Sequence, residues 1–395
     1  MLLPPGVSNA PAPTTPSPAE QRQERLVVVV AVIIGVIIVA ASLLRHDGDI
    51  AGLIKFGAGG SVADRTAHVE DVLGREVATV DLLGHDGSMF FLQALDPFFL
   101  DGEHAAHLDR PVYRAQRMLF PTIAGGFGLM PAETVLWTMG LVNIVAISLG
   151  TLGTARLARR LGGSTWLGLA FALNPGIVFE FDISGATILA FACAVWGTVA
   201  VMDQRRRAAV LWFCAAVLAR EVMLLYLAGV CCHQLWTTRR IPFVLGAVPA
   251  MTAAAWAGYI RLRLDSHDGV PEVQEFGMPF AGMIDAAPNW LTDPTQLAVI
   301  SSLAITAPLL TVRAVQRPNP LAWGALGFVV LAVLMTRQVW WNFFDISRAI
   351  APAMTAYVVT TFSTPDPARR QRRRGSESSN RPSRLNVPSA LNSCS

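Results

Sequence analysis

From Leu26 to Leu44 the chain reads LVVVVAVIIGVIIVAASLL, nineteen residues without a charge. At about 1.5 Å per residue this run reaches about 28 Å, close to the thickness of a bilayer's hydrocarbon core. A cleaved signal peptide has a shorter apolar core, about 7–15 residues, so the run reads as a retained anchor. Nine further apolar segments follow, at 134–153, 166–181, 185–202, 209–219, 222–236, 241–260, 296–312, 320–336 and 348–362. This pattern predicts an all-α polytopic membrane protein with about ten transmembrane segments.

Two polar stretches interrupt it. The longer, 45–133, is read as a first extracytoplasmic loop carrying interfacial helices, and 262–295 as a second outer loop. Residues 1–25, rich in Pro, Ala, Ser and Thr, read as a disordered tail, 26–362 as the membrane domain, and 363–395 as a basic disordered tail. Segments 209–219 and 222–236 are too short to cross unaided. With Arg220-Glu221 between them they form either a hairpin whose tip points outward or one span with a charge pair at its centre.

Charge sets the orientation. Arg156, Arg159 and Arg160 fall together, as do Arg205 to Arg207, Arg239 with Arg240, Arg313 with Arg317, and the arginines of 369–374. Ten spans put all of them on one side, which the positive-inside rule makes cytoplasmic. Both termini are then cytoplasmic, in a multi-pass protein of a plasma membrane, read as bacterial.

Composition agrees: 53% of the residues are hydrophobic and 15% charged, too apolar for a soluble domain. No GxSxG, HExxH or nucleotide-binding glycine loop occurs, and no nucleic-acid partner is expected. Of the five cysteines four lie in apolar segments and one in the tail, which excludes a disulfide-stapled outer domain.

Candidate chemistry concentrates in the outer loop. In LGHDGSMFFLQALDP, 83–97, glycines flank His85-Asp86 and an aromatic run follows. The run suits a helix lying on the bilayer surface, with Asp86 either set into a cleft or acting as the helix cap. Arg114 and Arg117 are three apart and share a face of a helix starting near Pro111 and stopped by Pro121. Their forks match phosphate oxygens, and ordinary headgroup snorkelling is the bland alternative. Glu180 and Asp182 are placed in a short outer turn after Asn174-Pro175-Gly176. With Arg220, Glu221, Arg337, Asp345 and Arg348 they border apolar segments, where ionisable groups mark functional cavities. His104 and His107 form an HxxH beside Asp101 and Glu103, a weak metal signal.

The stretches GHDGSMFFLQALDPF, YRAQRMLFP and LAREVMLL together resemble the GT-C superfamily of polytopic glycosyltransferases. They are similar to mannosyltransferase-like members related to the PIG-V and GT87 groups, with His85-Asp86 where the PIG-V type has an aromatic-acidic pair. The likeness extends over about residues 26–362. It implies transfer of a sugar, mannose or a similar hexose or pentose, from a polyprenyl-phosphate donor to a glycan, lipid or protein acceptor at the outer face. Asp86 matches the first-loop acidic residue and is implied as general base, with inversion at the anomeric carbon. Arg114, Arg117, Arg220 and Arg348 are the candidates for binding the leaving phosphate, and His85, Glu180, Asp182, Glu221, Arg337 and Asp345 for the cavity. Some families of this type use Mg or Mn and others none, so metal stays unassigned. Competing readings are a transporter or flippase of a lipid-linked sugar and a non-catalytic assembly subunit; the lack of an internal repeat of GHDG, YRAQR or LARE counts against the first.

Overall fold

The computed structural model describes residues 17–59, 63–80, 83–264 and 276–363. Among the described residues helices dominate, and four are long and apolar enough to cross a membrane: Pro18–Arg45, Ala132–Arg160, Phe243–Arg263 and Pro294–Gln316. Thr187–Met202 and Pro320–Leu334 are shorter apolar helices. The chain is thus a mostly helical membrane-type protein. One departure from all-α is a parallel pair of two-residue strands, Phe56–Gly57 and Thr79–Val80.

The first helix begins eight residues before the expected boundary at Leu26. Ser17 accepts from the Glu20 backbone N–H, the Glu20 side chain accepts in return, and Pro18 stands at the first helical position. This reciprocal cap, with proline where no N–H partner is needed, fixes the start. Residues 18–25 are therefore helix rather than tail. Residues 1–16 and 364–395 lie outside the described residues.

One stripe of that helix, Val27, Ala31 and Gly35, is buried, whereas Val29, Ile33, Val36 and Ile37 are exposed. Small residues allow close approach to Ala132–Arg160, and the apolar remainder suits lipid. Glu24 pairs with Arg156 at 3.2 Å and Arg159 at 3.0 Å, and Arg160 pairs with Asp203 at 2.6 Å. Arg45, at the other end of the first helix, lies 3.7 Å from Asp182. Glu133, at the other end of the second, lies 3.2 Å from Arg75. The basic clusters at 156–160 and 205–207 and the loop 45–133 thus sit at opposite ends of these helices, about 40 Å apart for helices of this length.

Elsewhere the expected segments break up. Segment 166–181 becomes a turn of 3-10 helix at Thr165–Gly168, a short helix Leu169–Ala172 and a second helix Pro175–Asp182. The break falls at Asn174, which the following proline disfavours for helix and whose side chain accepts from the Gly176 N–H. Glu180 is accordingly on a helix, not in a turn. Segment 348–362 splits into Phe343–Ala349 and Ala351–Phe362. Arg206–Ala219 and Met223–Thr238 are separate helices meeting at Arg220–Val222, which removes the single-span alternative.

The helix after Asp86 also differs from expectation. Asp86–Leu95 does not lie on a surface: Gly87 to Ala94 are all buried, with Phe91 edge-on to Phe56 at 5.7 Å and Phe90 edge-on to Phe120 at 5.6 Å. The aromatic run is apolar all round, so it stabilises the fold by filling the loop's own core. The helix from Pro111 ends at Arg114, so Arg117 lies beyond it and the two do not share its face; Pro121 does not end it but lies within Leu119–Ala124, in the first turn, where proline is tolerated.

Candidate functional site

His85 is the residue preceding the helix, so the cap alternative for Asp86 fails: Asp86 is its first residue and its carboxylate points elsewhere. Gly84 turns the chain with a φ of +64°. Gly87 lets the helix press against backbone, since a Cβ there would stand 2.5 Å from the Ile183 oxygen and 2.6 Å from that of Ile54. The His85 N–H donates to the Lys55 carbonyl at 3.0 Å. Burial and the nearby Arg348 hold the His85 imidazole below its ordinary pKa, favouring the neutral ring.

Three guanidiniums converge on Asp86. Arg114 Nη1 donates to Oδ1 at 2.6 Å, Arg348 Nη2 donates to Oδ2 at 3.0 Å, and Arg117 Nη1 lies 3.8 Å from Oδ2. Each of the three also has a carboxylate of its own. Asp109 accepts a forked pair from Arg114, at 2.9 and 3.0 Å. Glu221 lies 3.6 Å from Arg117 Nε. Glu180 accepts from Arg348 Nε, and Asp345 accepts from its Nη1 at 3.2 Å.

Glu180 is buried and shared. It accepts from the Thr187 N–H at 2.9 Å and from the Thr187 hydroxyl, while Arg220 donates to that same hydroxyl and lies 3.9 Å from the carboxylate. Tyr113 adds an aromatic face, with Arg110 and Arg117 4.5 and 4.8 Å from the ring centroid.

Burial raises the Asp86 carboxyl, but the guanidiniums of Arg114, Arg348 and Arg117 outweigh it and hold it well below the usual carboxylate range. Asp109 follows the same logic: burial raises it, and Arg114 brings it below the ordinary value. Asp86 and Asp109 are therefore carboxylates at neutral pH.

Of the residues singled out from sequence, the fold therefore assembles Asp86, Arg114, Arg117, Glu180, Arg220, Glu221, Asp345 and Arg348, with His85 adjoining. Two stand apart. Asp182 pairs with Lys55 at 3.3 Å and with Arg45, and Arg337 stacks over Trp341 at 4.4 Å. Asp109 and Thr187 were missed. For Asp109 the one available signal is its place in the polar run DRPVYRAQR; for Thr187, inside an apolar helix, there is none.

His104 and His107 gain a third ring. His68 Nε2 and His104 Nδ1 are 3.0 Å apart, and the His68 and His107 rings stack at 4.0 Å. Among the described residues no three His, Cys, Asp or Glu side chains converge as metal ligands. The carboxylates of the Asp86 cluster are each engaged by a guanidinium, a donor set that does not fit Mg or Mn without displacing arginines.

An apolar groove of about 600 Å³ is lined by residues that include Phe98, Met118, Leu218, Ala255, Trp256 and Tyr259. Its wall from the 45–133 loop and the Phe243–Arg263 helix are tied together by hydrogen bonds. Trp256 Nε1 donates to the Ala115 carbonyl at 2.8 Å, the Tyr259 hydroxyl to that of Phe98 at 2.7 Å, and Arg263 to that of Phe99 at 2.7 Å. With their polar atoms so used, the aromatic side chains offer the groove carbon surface. Met118 directly follows Arg117, and Leu218 precedes Arg220 by two residues.

No known family model, curated protein or solved structure matches the chain.

Proposed function

We propose that the chain is a membrane glycosyltransferase of the GT-C type, moving a sugar from a polyprenyl-phosphate donor to a glycan, lipid or protein acceptor at the extracytoplasmic face. The observation that carries the reading is a cluster of arginines around shared carboxylates, with an apolar groove two of whose lining residues, Met118 and Leu218, are close neighbours of Arg117 and Arg220 along the chain. A lipid-linked donor has the same two parts, a hydrocarbon chain and a phosphate. The apolar lining suits the chain, and guanidinium forks suit the phosphate oxygens.

In this reading Asp86 is the base that takes the proton of the acceptor hydroxyl as its oxygen attacks the anomeric carbon. The bond from that carbon to the donor phosphate breaks in the same displacement, and the configuration inverts. Arg114, Arg117, Arg220 and Arg348 offset the charge that develops on the leaving phosphate. Ten crossings, cytoplasmic termini and a bacterial plasma membrane belong to the same proposal, supported by the opposite placement of the basic clusters and the outer loop.

The test is transfer by the purified protein in lipid nanodiscs, supplied with labelled polyprenyl-phosphate sugars and an acceptor pool. Asp86→Asn is expected to lower transfer by about 10²–10⁴-fold, the usual contribution of a positioned base, while the protein still purifies as folded. Near-normal transfer by the variant would remove Asp86 from the chemistry.

A further inference from the structure

A base ringed by three guanidiniums is a weak one, and three of the four cations meant for a phosphate are already occupied by it. Both facts have one geometric origin. Arg114 is gripped by Asp109, Arg117 faces Glu221, and Arg348 is gripped by Glu180 and Asp345. Asp86 alone is common to all three. Removing its charge would leave every guanidinium with a separate anchor, still directed at the position its carboxylate fills. That position is part-exposed, with 22% of the Asp86 side chain accessible.

We propose that the Asp86 carboxylate is an internal stand-in for an anionic ligand of the phosphate-ester class, which takes the Arg114–Arg117–Arg348 seat by exchange and releases Asp86. The exchange rests on the glycosyltransferase reading only for the identity of the ligand. Its physical content is competition between two anions for one set of donors. It also reconciles the two roles given to Asp86. Before the ligand arrives its electron pairs are held by Arg114 and Arg348, and afterwards they are available to a hydroxyl proton.

The competition makes a prediction of opposite sign from the usual one for a site residue. Asp86→Asn should bind the anion more tightly, by roughly tenfold, because the competitor has lost its charge. Asp109→Asn changes the net charge by the same amount but loosens Arg114, and should bind more weakly. The measurement is equilibrium binding of undecaprenyl phosphate, and in parallel inorganic pyrophosphate, to the full-length protein in nanodiscs. Binding of the lipid alone locates the contribution of the groove, and binding of both isolates the anion seat. Native mass or thermal unfolding of each variant checks that it is folded, and Asp86→Ser serves if Asp86→Asn is not.

Tighter binding by the Asp86 variant together with weaker binding by the Asp109 variant is the expected result. Weaker binding by the Asp86 variant overturns the proposal, since Asp86 would then support the ligand. Equal tightening by both overturns it as well, leaving only bulk charge, and so does a wild type and variants that bind neither probe. Failure of the glycosyltransferase reading looks different: the expected binding pattern with no sugar transfer from any donor.

Discussion

Glu180 is the residue on which most of the site's order depends. Its carboxylate is almost wholly buried, yet it faces Arg348, Arg220 and two donors of Thr187. Glu180→Ala would remove the carboxylate facing Arg220 and one of the three facing Arg348, a loss of about 3–5 kcal/mol for a broken buried pair. Thermal unfolding in detergent should show it, and Glu180→Gln, which keeps the acceptor oxygen, should show less. Acid tests the other carboxylates. The folded values of Asp86 and Asp109 lie below the ordinary 3.8, so their stabilisation is fully present above that pH and is lost as pH falls through the folded values. The unfolding midpoint should therefore stay level with respect to these two groups down to about pH 4 and fall below it, and Asp109→Asn should flatten part of that fall. A midpoint already falling from pH 7 to 5 in the wild type but level there in Asp109→Asn would contradict the assignment.

At the level of elements, the site depends on how closely the Asp86–Leu95 helix approaches its neighbours. Gly87→Ala would place a methyl carbon within hydrogen-bond distance of two backbone oxygens, neither the end of a flexible side chain. The helix must retreat, and Asp86, its first residue, moves too. A destabilisation of about 1–3 kcal/mol is expected, with anion binding weakened along with it; an unchanged affinity would show that the guanidiniums follow the helix. This scale also shows what the sequence could and could not carry. The long spans and the break at Arg220–Glu221 were legible, because hydrophobic length and an interrupting charge pair are local signals. The place of the aromatic run was not. MFFL has the same composition whether it meets lipid or Phe56 and Phe120, and these partners are 35 and 30 residues away along the chain. The same holds for the site. Its charged members could be named one by one, but Arg348 reaching Asp86 across 262 residues is a property of the assembled helices.

Across the whole molecule, the two ends differ in kind. Ion pairs at the end of Glu24, Arg156, Arg159, Arg160 and Asp203 join helix termini to one another, whereas at the other end a set of them gathers around Asp86. The proposed orientation can be read by chemical labelling in intact cells. In a cysteine-free background, Asp101→Cys, exposed in the outer loop, should react with a membrane-impermeant maleimide, and Arg207→Cys, exposed at the basic end, should react only after lysis. The reverse pattern would invert the topology. The groove has a consequence at this scale too. One wall belongs to Phe243–Arg263, a helix long enough to span the bilayer, whose Val244, Val248, Met251 and Leu262 face outward. A lipid entering there never leaves the leaflet. Its supply is then a two-dimensional search, governed by mole fraction among membrane lipids rather than by concentration in solution. Diluting a lipid donor with inert phospholipid should slow its capture even when the amount in the tube is unchanged.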